Sequence, residues 1–277
     1  TPPGPAAARP TGRAADIRES RWGVKWGPLS KNSIGTVLTA AGAGAGVALP
    51  ARMSKDEGED RFVCSVSSTV DAAEGGGVSL RINQSTIAQL KGVTGVNGVV
   101  ATLGEALASL GADRTPLVVE CYDTTGDTDA EYWVYDQKMM QFLVGRLGAG
   151  AAERVVVATR PALNASRAKA KADGGLKGLT RLVSNDGAWA NAAAITAVKD
   201  ADAIALKPAD AAKPELLAAV KNHPEHPSLW GAGVSTAAEV RAIRAAASAA
   251  GMTIEGWLAE GVGAGAEIAT RTQPEKP

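Results

Sequence analysis

Short apolar runs rich in β-branched residues recur along the chain, and stretches of helical period separate them. This alternation limits the fold more than any other feature. The strand-like runs are WGVKW (22–26), GVALPARM (46–53), RFVCSVS (61–67), PLVVECYD (116–123), RVVVATR (154–160), LTRLVSN (179–185), DAIALKP (202–208), SLWGAGV (228–234) and MTIEGWL (252–258). Helical patterns fill 102–111, 130–148, 163–175, 186–200, 210–222 and 235–251. The last opens with Ser235 at its N-cap and Glu239 one turn in, and closes at Gly251. Such alternation predicts an α/β fold, a TIM-type (β/α)8 barrel, with an open doubly wound sheet as the runner-up. The glycine run AAGAGAG (40–46) precedes a strand where a dinucleotide fingerprint would follow one. No cofactor is expected.

The ends of the chain have a different composition. Residues 1–20 are Pro/Ala/Arg-rich and read as an arm, 21–260 as the barrel, and 261–277 as a tail. Lys+Arg and Asp+Glu both count 29, so no bulk charge favours nucleic acid or an anionic membrane. The basic stretch SRAKAKADGGLKG (166–178) reads as a solvated helix face. No segment reaches the roughly 18 apolar residues a bilayer span needs, and the N-terminus lacks the apolar region of a signal peptide. The expectation is a soluble chain without membrane insertion.

The residues that carry common chemistries are sparse. Cys64 and Cys121 fall in strand-like runs and read as two buried thiols, with a bridge between them as the alternative. His223 and His226, the two histidines of the chain, lie in the Pro-bounded KNHPEHPS, where an exposed rigid loop outweighs a metal pair. Asp123, Asp127, Asp129 and Glu131 follow the 116–123 strand on what would be a barrel's functional face. That run lacks the ordered spacing of a calcium loop and reads as a solvated acidic loop. Trp22 and Trp26 share one face of their strand-like run, which suits packing in the core or at the barrel bottom, with ligand stacking or contact with the arm's partner as the alternative.

Several segments, taken in order, carry a family pattern: KNSIGTVLTAA, ALPARMSKDEG, FVCSVSSTVDAAEGGG, NQSTIAQLKG, VVATLGEALASL, PLVVECYD and SLWGAGVS. In these the chain resembles the glycerophosphodiester phosphodiesterases, relatives of the phosphatidylinositol phospholipase C barrels, over most of 21–260. The resemblance implies a barrel in which two histidines act on a phosphodiester and carboxylates hold a divalent cation. Ser54, Lys55 and Asp56 keep the family's turn, Glu120 matches its metal-site Glu, and Trp230 matches its Trp softly. Ala48 and Pro50 stand where the family has Glu and Asp, Ser65 or Val66 where it has His, and Tyr122 where it has Lys.

The resulting expectation is a phosphodiesterase-like barrel that has lost its catalytic groups and is not an enzyme. It would serve as a structural or binding module in a larger assembly, most concretely a bacteriophage virion as a minor tail protein. Arg9, Arg13, Arg18, Trp22 and Trp26 would bind other protein subunits. Arg52, Ser65, Glu120, Tyr122 and Asp123 would line a vestigial pocket for a cell-surface glycan or phosphate ligand, without metal. The alternative is a divergent metal-dependent phosphodiester hydrolase using Glu120 and Asp123.

Overall fold

The structure is a computed structural model that describes residues 47–58, 60–65, 67–71, 79–93, 99–110, 117–121, 138–139, 141–148, 151, 155–161, 180–185, 187–260 and 268. The arm, the 22–26 strand, the acidic loop with Tyr122 and Asp123, Val66 and the basic 166–178 stretch lie outside them.

Seven strands form a parallel ladder: β1 (Val47–Met53), β5 (Leu117–Cys121), β6 (Val155–Thr159), β7 (Thr180–Ser184), β8 (Ala203–Leu206), β9 (Ser228–Val234) and β10 (Ile254–Ala259). Each of these strands pairs with the next one in chain order. A doubly wound sheet reverses direction at a switch point. This ladder never does, so the winding is that of a (β/α)8 barrel. The short β2 (Phe62–Val63) runs back antiparallel against the top of β1. A small hairpin, β3 (Thr69–Val70) with β4 (Leu80–Arg81), was not legible in the sequence.

Side chains alternate across each strand, and the two faces have separate cores. Ala48, Val118, Val156, Ala158, Leu182, Ala203, Ala205, Trp230, Ala232 and Leu258 pack together inside the ladder. Val47, Leu49, Leu117, Val119, Val155 and Val157 face outward onto the Leu103–Leu110 helix and helical residues near 142. Ile268, from the 261–277 tail, is buried in the outer layer around β8 to β10.

The interior is narrow where β9 meets β10. Trp230 and Gly256 are register partners, as are Gly231 and Trp257. A Cβ on either glycine would overlap the indole across from it. The residues thus alternate large against small on both faces, which lets two tryptophans fit adjacent strands.

Several local expectations need correction. The helix expected over 210–222 is two helices, Pro208–Ala211 and Pro214–Lys221, because Pro214 has no N–H to continue the first and instead begins the second. The helix expected over 186–200 shrinks to Ala192–Thr196, capped by the Asn191 side chain. The cap of the Ala237–Ala249 helix is Thr236, not Ser235: the Thr236 hydroxyl accepts from the Glu239 amide in a capping box. Gly251 does take the left-handed conformation just past that helix, with φ +66°.

Candidate functional site at the C-terminal mouth of the barrel

In this fold the strand ends open onto one face, and chemistry collects there. Pro50, Glu120, Ala158 and Leu182 form one row across β1, β5, β6 and β7. All four fall on inward-facing positions, in phase with Ala48, Val118 and Val156. The next inward positions toward the mouth are Arg52, Arg160 and Ser184. On β8 the same alternation carries Ala203 and Ala205 on to Lys207.

Among the described residues, the inward strand-end positions thus carry Glu120 and, past β10, the exposed Glu260, together with Arg52, Arg160 and Lys207. Arg52 is buried, while Glu120, Arg160 and Lys207 are half-buried. The Lys207 stem lies over Gly233, whose φ is +63° and where a Cβ would sit 3.2 Å from Lys207 Cγ. Glycine at 233 thus lets the lysine lie close against the β9 end. Arg160 and Lys207 were missed as site residues, although each is the first charged residue after an apolar strand run (VVVATR and AIALK).

The loop between β7 and the Ala192–Thr196 helix is fixed beside Lys207. The Trp189 indole N–H donates to the Ala205 carbonyl at 3.1 Å, and the Trp189 amide donates to Asp210 Oδ1 at 3.2 Å. Asp210 is fully buried, with Lys213 Nζ at 3.7 Å.

Ser65 is buried, and its hydroxyl donates to the Ser67 carbonyl at 2.9 Å. That bond turns the chain after β2 and ends the strand expected to reach residue 67. The turn at Ser54–Asp56, which matches the family pattern, is held by local bonds. Asp56 Oδ2 accepts from the Ile87 amide at 2.6 Å and the Ser54 hydroxyl at 3.0 Å, tying the β1–β2 turn to the Ile87–Lys91 helix. Asp60 plays a similar part: it accepts from Thr102 Oγ1 and the Gly104 amide, both at 3.3 Å, at the start of the Leu103–Leu110 helix.

The histidines lie away from the mouth. They follow the Pro214–Lys221 helix and precede β9, which places them at the N-terminal end of that strand. His223 is not exposed as expected but fully buried. Its Nδ1 accepts from the Glu225 amide at 3.2 Å, so Nε2 carries the proton and donates to the Val198 carbonyl at 3.2 Å. His226 is exposed with φ +49°. Cys64 and Cys121 are free, buried thiols. Burial, with Asp60 and Glu105 nearby, pushes Cys64 up to about 12.

The divalent cation that the family resemblance implies finds a poor donor set in the described mouth. Glu120 has Pro50 on one side and Ala158 on the other as its ladder partners, and neither side chain carries an oxygen. Calcium takes roughly six to eight oxygen ligands. No group of three or more His, Cys, Asp or Glu suited to a metal occurs among the described residues. Nor is any helix among them long and apolar enough to cross a membrane.

No family model matches the chain, and no curated protein matches it. Solved structures do match. One classed as a glycerophosphoryl diester phosphodiesterase from Silicibacter pomeroyi DSS-3 is 14% identical, with a TM-score of 0.63 over 94% of this chain and 97% of the other. A glycerophosphodiester phosphodiesterase from Parabacteroides distasonis is 13% identical, with a TM-score of 0.59 over 92% and 97%. An Oleispira antarctica phosphodiesterase, in complex with the product sn-glycerol-3-phosphate, is 11% identical, with a TM-score of 0.57 over 86% and 90%. These and two further matches all carry phosphodiesterase names. That overturns the reading of the chain as a non-enzyme, which took the missing histidines and carboxylates as loss of function. In fold, the chain resembles the glycerophosphodiester phosphodiesterases.

Proposed function

We propose that the chain is a phosphodiester hydrolase that holds the phosphate of its substrate at the barrel mouth. The observation that carries this reading is the set of inward-facing strand-end positions that Arg52, Arg160 and Lys207 fill at the same end of the ladder as Glu120. Guanidinium and ammonium groups suit phosphate oxygens, because charge-assisted hydrogen bonds are the strong ones. In a phosphodiester hydrolysis these cations would balance the charge that builds on the phosphoryl oxygens. Glu120 would take the proton of the attacking water as the new P–O bond forms, and that proton would return to the departing alkoxide as its P–O bond breaks, since both histidines lie at the N-terminal end of β9. The phosphodiesterase names of the neighbours on this fold support the reaction class.

The test is turnover of bis(4-nitrophenyl) phosphate and of glycerophosphodiesters by the purified chain. Turnover that is lost in Glu120→Gln supports the reading. Absence of turnover across these diesters, by a folded chain, rules it out.

A further inference from the structure

A buried carboxylate behind the mouth has no part in the chemistry proposed above. Asp210 lies one turn after Lys207, in the Pro208–Ala211 helix, and is fully buried. Its Oδ1 accepts from the Trp189 amide at 3.2 Å and has Lys213 Nζ at 3.7 Å. Its Oδ2 has no hydrogen-bond partner among the described residues. A buried charge with one oxygen left unbonded costs stability, and a well-packed apolar residue of similar volume is often as stable or more so. Stability alone therefore does not account for an aspartate here.

The carboxylate joins two elements of the mouth. The β7–β8 register ends at Ser184 and Ala205. Beyond it, Trp189 holds the loop after β7 to the end of β8: its indole N–H donates to the Ala205 carbonyl and its amide to Asp210. Asp210 is in turn fixed to Lys207, whose carbonyl accepts from the Asp210 and Ala211 amides at 3.0 and 2.9 Å. Within the loop, the Asn185 side chain accepts from the Gly187 amide at 3.3 Å and donates to the Ala188 carbonyl at 2.9 Å. Resting on the phosphodiester reading above, we infer that Asp210 is a positioning residue. It holds the Lys207 end of β8 and the loop after β7 in one fixed relation, so that the mouth is preorganised for the diester. It touches no substrate itself.

The experiment measures kcat and KM for bis(4-nitrophenyl) phosphate in the full chain, in Asp210→Ala and in Asp210→Asn, well below each melting temperature. His223→Ala is the comparison, because that buried histidine lies at the opposite end of the barrel. Asp210→Ala should raise KM by roughly ten-fold or more, with a smaller fall in kcat, as a displaced mouth loses substrate binding. Asp210→Asn keeps an oxygen for the Trp189 amide and should return both constants to near those of the parent. His223→Ala should leave them there. An Asp210→Ala variant with the parent's constants and only a lower melting temperature overturns the inference and leaves the phosphodiester reading standing. An Asp210→Asn variant as impaired as the alanine variant does the same. Absence of turnover by the folded parent overturns both. Where Asp210→Ala does not fold, hydrogen exchange in the parent decides. The Trp189 amide should be as protected as the β8 amides, and exchange at the rate of an open loop overturns the inference.

Discussion

Pro50 stands directly across the β1–β5 ladder from Glu120. A proline in a strand lacks the N–H a ladder needs and is tolerated where pairing stops. Among the described residues, β2 pairs with β1 at Arg52 and Met53 and not at Pro50. The same residue removes an oxygen donor from beside Glu120. Returning a carboxylate there, as Pro50→Asp, would place two acidic groups in register. Apparent Ca²⁺ affinity, followed by calorimetry, should rise in Pro50→Asp relative to the parent. An unchanged affinity would show that the Pro50 position is not part of a latent metal site.

The paired tryptophans and glycines of β9 and β10 predict a packing defect. Gly256→Ala puts a methyl group into the Trp230 ring. Overpacking of this kind costs about 1–3 kcal/mol. Urea unfolding should show the lower midpoint, and a midpoint within error of the parent would mean that the two strands separate easily.

His223 holds the turn between the Pro214–Lys221 helix and β9 through two backbone bonds. His223→Ala leaves the Val198 carbonyl and the Glu225 amide without this partner, at a cost of about 1–3 kcal/mol. Phosphodiester turnover should be unchanged well below the melting temperature. A selective loss of turnover in the folded variant would bring this histidine back into the chemistry.

Glu105 gives a pH signature. Partial burial pushes its carboxyl up, but the Lys91 ammonium and the Thr102 amide and hydroxyl outweigh this, so it lies below the ordinary carboxylate range. A carboxyl with a lowered folded pKa stabilises above its unfolded pKa and loses that contribution as pH falls through the folded value. The stability gap between the parent and Glu105→Gln should therefore be present at neutral pH and close in acid. Denaturant melts at both ends of that range provide the check.

The winding of the barrel was legible because β-branched runs such as VVVAT and AIAL are bounded by turn residues. Chain-order pairing then follows from right-handed βαβ connections. The roles of single residues were harder to read. Asp56 sits in a family-like turn, but its carboxylate serves the Ile87 amide 31 residues away, and nothing local announces such a bond. His223 sits in a polar, Pro-flanked segment, yet the chain folds its ring into the core. The cation set at the mouth depends on which face each strand end presents. That phase is fixed by interior partners such as Ala158 and Ala205, which become visible only once the sheet is assembled.

The most direct measurement is a crystal structure of the chain with sn-glycerol-3-phosphate. The account predicts the phosphate at the mouth, within hydrogen-bond distance of Arg160 and Lys207 and near Arg52, with Glu120 alongside. A phosphate bound elsewhere, or bound at the mouth out of reach of Arg160 and Lys207, would contradict it.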